Sequence, residues 1–440
     1  MTLLLAFLLW LPKVGLGLTA AHWLWQEKSP AAGLKFFVAI PLGLGISSLF
    51  FFAWLWLGLP AKLYPPLEAL AAALLLFFTF RLPLSAFRFS PFPKKFIIHY
   101  SAFCIALAIA VFFFFRRALQ FSHGYEDAWF IWNMAARFLY RAADWTLRFT
   151  SQSALWHPDY PLLIPLNVAQ GWFALGETTR VPLTMAALFT FAIPGLIFSA
   201  LRFSGQKVHA LSAASLLLLT PAFLEYGTQQ MADIPLAAYF LGAAIFLWLF
   251  AQTGNLRLLI FNGLLAGFGA WTKNEGWLFW AACLLICIIL ARQQKPPAFF
   301  LLGSLPPLTA ALAFKVFLAP ANDLFVENSS RWQHLLDPAR YGQILAAFAQ
   351  QIGAFGGWRL GIFGVLLVYA LLMGFRRSAL RQTAWLWLLI FIQLAGYFAI
   401  YLITPHDLAW HLRTSLARLL MQIFPLAVFA LFASLKDVEA

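Results

Sequence analysis

The sequence predicts an all-α polytopic membrane protein, with about 12–14 transmembrane helices and a large first loop that carries an amphipathic helix. Three observations predict it. Of 440 residues, 62% are hydrophobic and 10% charged, whereas a soluble domain is about half apolar and a quarter charged. Apolar runs such as AALLLFFTF and ALAIAVFFFFRR do not alternate, so they suit helices and not the strands of a barrel, the other structure that satisfies its backbone in lipid. The net charge is +14, and the basic residues cluster between the apolar runs, as the positive-inside rule expects. This composition excludes a soluble α/β enzyme, intrinsic disorder, a coiled coil, collagen and a disulfide scaffold. Nucleic acid is not an expected partner; the lipid bilayer is. Cys104, Cys283 and Cys287 lie within apolar runs and form no CxxC pair, which points to packing. No basic stretch precedes the first apolar run, so a cleaved signal peptide is not expected.

A span needs roughly 17–25 mostly apolar residues. Candidates fall near 3–24, 35–58, 66–81, 96–116, 182–201, 210–226, 236–252, 258–273, 277–291, 299–319, 357–375, 384–403 and 414–434. The run 161–176, opening YPLLIP, is short and reads as a re-entrant or surface helix. If it does not cross, the loops bearing Lys28/Lys35, Arg81/Arg88/Lys94/Lys95, Arg202/Lys207, Arg257, Arg292/Lys295, Arg376/Arg377/Arg381 and Lys436 share the cytoplasmic side. The opposite side then receives 13 of the 16 acids. Acids contribute little to orientation, so their segregation is an independent sign that the polar chemistry occupies the non-cytoplasmic face. Residues 1–95 read as extra transmembrane helices ahead of a catalytic body, 96–440. Two long non-cytoplasmic loops, 117–181 and 320–356, belong to that body. The expected location is a bacterial inner membrane.

The first loop opens HGYEDAWFIWNMAARFLYRAADWTLRFT. Residues 125–148 fit one interfacial helix. Its polar stripe is Glu126, Asn133, Arg137, Arg141, Asp144 and Arg148. Glu126 is expected to pair with Arg137 and Arg141. Asp127 lies off the stripe near the helix start; it either favours the helix dipole or acts as a general base. In LWHPDYPLLIP, His157, Asp159 and Tyr160 form a proline-braced turn, where His157 either stiffens the turn or donates a hydrogen bond to a phosphate. Asp233, two residues before Pro235, opens a later span, as an N-cap would. Lys273, Asn274 and Glu275 lie together at the mouth of another. Near the end, His411, Thr414/Ser415, Arg418 and Gln422 share a helix face. Arg418 falls inside an apolar run, where a charge is costly unless paired or functional; with neighbouring Arg413 it joins the anion-binding candidates. No HExxH, DxD, phosphate loop or GxSxG occurs. No metal ligand is assigned and no cofactor is expected, although a divalent metal stays open.

These motifs resemble the polytopic glycosyltransferases of the GT-C fold, which use polyprenyl-phosphate-linked sugars. Protein O-mannosyltransferases and the lipid A aminoarabinose transferase are members. The resemblance runs over about 96–434 and rests on EDAW at Asp127, HPDYP at His157 and DIP at Asp233, in that order. By this resemblance Asp127 is the catalytic acidic position, His157 contacts the donor phosphate and Asp233 is the second acidic site. Asp159 stands where the family usually has a second proline. The expected activity is an inverting transfer from a polyprenyl-phosphate sugar to a hydroxyl acceptor, lipid- or protein-linked. Asp127 would take the acceptor proton, with Glu126 its competitor. His157, Lys273, Arg418 and Arg413 would hold the phosphate; Asp159, Tyr160, Glu275 and His411 are further site candidates. Rival readings are a flippase of lipid-linked glycans and a polymerase or ligase with a diphosphate donor.

Overall fold

A computed structural model describes residues 2–26, 31–80, 97–150, 157–290, 296–322, 331–358 and 361–437. The chain is a succession of helices: α1 (Leu3–Leu8), α2 (Leu11–Leu24), α3 (Ala32–Trp56), α4 (Tyr64–Phe80), α5 (Ile97–Gln120), α6 (Asn133–Arg141), α7 (Leu163–Leu175), α8 (Arg180–Phe203), α9 (Lys207–Leu218) and α10 (Pro221–Thr228). They are followed by α11 (Asp233–Thr253), α12 (Arg257–Thr272), α13 (Glu275–Leu290), α14 (Pro296–Phe317), α15 (Arg331–His334), α16 (Pro338–Ala354), α17 (Ile362–Met373), α18 (Arg377–Ile403) and α19 (Leu408–Ser434). Among the described residues there is no β-strand beyond one isolated bridge, Phe375 to Leu435.

Nine of the described helical segments are long and apolar enough to span a membrane, ten if α9 and α10 form one broken span bent by 61° at Pro221. The 13 expected crossings are thus reduced by length. Three segments emerge as shorter helices, α12, α13 and α17, with 16, 16 and 12 residues. Sixteen residues reach about 24 Å, short of a hydrocarbon core of about 30 Å. The reasons are local. Lys273 adopts an extended backbone between α12 and α13. Gly356, Gly357 and Gly361 all have positive φ before α17, and Gly374 has positive φ after it. The ambiguous run 161–176 becomes α7, a 13-residue helix buried through Trp172.

Helices approach closely where small residues allow it. A Cβ on Gly263 would collide with the Phe300 carbonyl, and one on Gly43 with that of Lys13, so α12 lies directly on α14 and α2 on α3. α11 sits at the centre, with every residue from Asp233 to Phe250 buried. The N-terminal helices are keyed into the body. Trp10 donates to Thr184 Oγ1 at 2.8 Å, Asn167 to the Leu44 carbonyl at 3.0 Å, and Tyr239 to the Pro41 carbonyl at 2.9 Å.

The molecule has two chemically distinct ends. At one, His209 Nε2 meets the Lys436 carbonyl at 2.7 Å, and Arg376 N–H donates to the Ser434 carbonyl at 3.1 Å. The loops bearing Arg202/Lys207, Arg376/Arg377 and Lys436 therefore gather there. At the other, Arg418 meets the first residue of α11. Sixteen helical residues carry α19 from Arg418 to its end at Ser434, about 24 Å of rise.

The expected single helix over 125–148 is not formed. A π-helical turn, Ala128–Trp132, leads into α6. Ala142 is then extended, and a 3-10 turn runs over Trp145–Arg148. Asp144 causes the restart: its side chain accepts the Thr146 N–H at 2.9 Å, competing with helix continuation.

Candidate active site

The site begins with a pinned loop. Gly124 has φ +76°, and a Cβ there would meet the Gln229 carbonyl at 2.6 Å, so only glycine permits this approach. Tyr125 N–H then donates to that carbonyl at 3.1 Å. Gln230, itself at φ +56°, donates to the Ser122 carbonyl at 3.0 Å and accepts from Asn133 at 3.3 Å. These bonds hold the chain around Asp127 against the chain that enters α11. Asp233 occupies the first turn of α11, where the helix dipole favours an acid, and Pro235 fits that first turn.

Arg418 of α19 bridges the two acids. Its Nε donates to Asp233 Oδ2 at 3.1 Å and its Nη1 to Asp127 Oδ2 at 2.5 Å. Asp233 is further bound through Oδ1 by Lys273 Nζ at 3.0 Å and Gln422 Nε2 at 2.6 Å. Lys273 also pairs with Glu275 at 2.8 Å, because its extended backbone turns the side chain back over the start of α13. Tyr397 completes the group by donating to Gln422 at 2.6 Å. Three acids and two cations leave this cluster one unit negative.

Exposure grades it. The Asp233 side chain is 2% exposed, that of Lys273 5%, Arg418 20% and Asp127 31%. Both Asp233 oxygens are occupied by three donors, so it is an anchor for cations. Asp127 engages Arg418 through Oδ2 alone and faces outward. Chemically, the arrangement presents one accessible carboxylate beside one accessible guanidinium on a sealed base.

The other sequence candidates fall into two groups. Asp159 is buried and accepts from Asn274 at 2.8 Å and Asn322 at 2.6 Å through one oxygen, while its carbonyl receives Lys315 at 2.5 Å. It ties the HPDYP turn to the start of α13 and the end of α14. Tyr160 stacks between His157, centroids 4.7 Å apart, and Trp132, 5.4 Å apart. His157 holds φ +45°, a sparsely populated backbone for a non-glycine residue. Buried Arg148 shares its narrow cleft, and burial pulls its guanidinium down to about 10. His411 bonds Thr404 Oγ1 at 2.9 Å and packs on Tyr401, about two turns before Arg418 along α19. Arg413 is exposed on another face of α19.

One expected pair is replaced. Glu126 is exposed, and Glu177 takes both arginines, Arg137 at 3.1 Å and Arg141 at 2.6 Å. Glu177 reaches them from the turn before α8, a tertiary contact that spacing along the first loop cannot reveal. Gln230 and Asn322 were likewise silent, since single amides carry no motif.

Residues 159–319 match the family model of dolichyl-phosphate-mannose-protein mannosyltransferase, a GT-C fold family. The resemblance read from the motifs is therefore borne out over that stretch. It contains Asp159, Tyr160, Asp233, Lys273 and Glu275; Asp127, His157 and Arg418 lie outside it. No curated protein and no solved structure matches the chain. The mannosyltransferase match indicates a membrane glycosyltransferase of the GT-C type. Among the described residues, no group of three or more His, Cys, Asp or Glu is placed to hold a metal ion.

Proposed function

We propose that the protein is an inverting glycosyltransferase that moves a sugar from a polyprenyl-phosphate donor to a hydroxyl acceptor on the non-cytoplasmic side of the membrane. The observation that carries this reading is the Arg418 bridge between partly exposed Asp127 and sealed Asp233. The acceptor oxygen attacks the anomeric carbon as the carbon–oxygen bond to phosphate breaks. The acceptor proton passes to Asp127. The electron pair of the broken bond leaves on the lipid phosphate, whose charge the Arg418 guanidinium stabilises. Donor binding would draw Arg418 from Asp127 to the phosphate and so release the carboxylate as a base. Asp233, Lys273 and Gln422 hold the guanidinium at its station. His157, stacked on Tyr160, is the second candidate for a donor contact. The acceptor is a hydroxyl of a lipid or a protein.

The gathering of basic loops at the end away from Arg418 supports this side of the membrane. Cysteines placed singly at Ala143 and Ser378, with Cys104 replaced by serine, should react oppositely with an impermeant thiol reagent in intact cells; equal reaction would overturn the orientation. The activity itself is tested with purified protein in nanodiscs. It should release free polyprenyl phosphate from a polyprenyl-phosphate sugar when acceptor is present. Movement of the intact donor across a bilayer without sugar transfer would make the protein a flippase. Turnover with a diphosphate donor alone would make it a polymerase or ligase.

A further inference from the structure

A separate cavity of about 550 Å³ opens on the polar face of α6, beside the turn that starts α8. Asp127, Asp233 and Arg418 are not among its lining residues. Most of its wall is apolar, with Trp129, Met134, Phe138, Trp172 and Pro182. Its rim is cationic. The Arg137 guanidinium lies 4.1 Å over the Trp129 ring, and Arg137 and Arg141 share the single carboxylate of Glu177. Two cations against one anion leave the rim one unit positive. Burial opposes the charge on Glu177, but its bonds to Arg141 and Arg137 outweigh this and hold its carboxyl below the usual range; the three charges persist together at neutral pH. Glu177 takes Nε and Nη2 of Arg141, while a guanidinium offers five donor hydrogens, and this side chain is 63% exposed. At the inner wall Asn133, 3% exposed, is spent on Gln230, to which its Nδ2 donates.

We propose that this cavity binds a membrane lipid with an anionic headgroup. The apolar wall takes the upper acyl chain. The arginine rim takes the anion. A free anion does not need so much apolar wall, and a neutral lipid does not need the arginines. The position beside the start of a membrane-spanning helix places the rim at headgroup depth.

The test counts lipid retained by the purified full chain, using native mass spectrometry after titration with phosphatidylglycerol or phosphatidylcholine. Phosphatidylglycerol should be retained at least roughly tenfold more tightly. Replacing both arginines (R137Q/R141Q) should remove that preference, whereas Arg137→Lys, which keeps the charge, should retain most of it. Millimolar inorganic phosphate should not displace the lipid. Equal retention of the two lipids, or an unchanged preference in the folded double variant, overturns the proposal. Displacement by phosphate alone overturns the lipid as the occupant. The readout is binding, so its failure leaves the transferase reading untouched.

Discussion

Two buried charge clusters in this protein look alike and differ in one respect. In the N-terminal helices Lys13, Glu68, Ser47 and Gln170 form a closed group. Lys13 pairs with Glu68 at 2.5 Å, and the two side chains are 3% and 5% exposed. Ser47 bonds Glu68, and Lys13 bonds Gln170. These four residues come from α2, α4, α3 and α7, so the cluster rivets the first helices to the body. Around Arg418 the base is equally sealed, but Asp127 protrudes. A charge buried in apolar surroundings must be paired. Where pairing is complete and dry, the cluster holds helices together. Where one acid stays in reach of a ligand, it can exchange partners, as chemistry requires.

The sharpest way to break this comparison is Asp127→Asn. The substitution keeps shape and removes basicity. The protein should fold and bind donor, while turnover falls by roughly 10²–10⁴; normal turnover in this variant would reduce Asp127 to a partner of Arg418. The closed cluster should behave oppositely. Lys13→Met strands Glu68 and should cost about 3–5 kcal/mol of stability, read as a lower unfolding temperature. Adding Glu68→Leu should recover most of it, and the folded double variant should keep normal turnover. Loss of turnover without loss of stability would give the N-terminal cluster a part in the reaction.

Arg418→Met should be intermediate. It removes the charge but keeps much of the apolar stem, and donor affinity should fall by roughly 1.5–3 kcal/mol. Asp233 retains Lys273 and Gln422, so the fold should survive. Unchanged donor affinity in equilibrium binding would make Arg418 purely structural. The smallest effect belongs to Glu177, partly exposed between its arginines. Its carboxyl is held low in the folded protein. The stability it contributes is therefore present above the unfolded value of about 4.3 and is lost as pH falls through the lower folded value. Thermal melts of wild type and Glu177→Gln should converge at acid pH and at high salt, which screens such pairs. A constant gap across pH and salt would mean that Glu177 acts through packing.

Much of this molecule was legible along the chain. Apolar runs mark helices wherever their length alone decides, as in Ala32–Trp56 and Asp233–Thr253. An arginine within an apolar run, Arg418, and acids at helix starts, Asp233 and Asp127, announced themselves because charge in such places is costly. The EDAW, HPDYP and DIP motifs led to a resemblance that the match over 159–319 supports along that stretch. Tertiary structure alone decided which charges meet. Arg418 lies 185 positions from Asp233 and 291 from Asp127, and periodicity carries no information over such distances. It also decided that Glu177 displaces Glu126, that Asp159 is spent on two asparagines and Lys315, and that Lys273 breaks a helix to reach Asp233. The reason is common to all of these. Pattern along a sequence reports which face of a helix is apolar, while the partner of a buried charge is chosen by helix packing, and packing is set by small residues such as Gly43, Gly263 and Gly124 whose role appears only when another backbone lies against them.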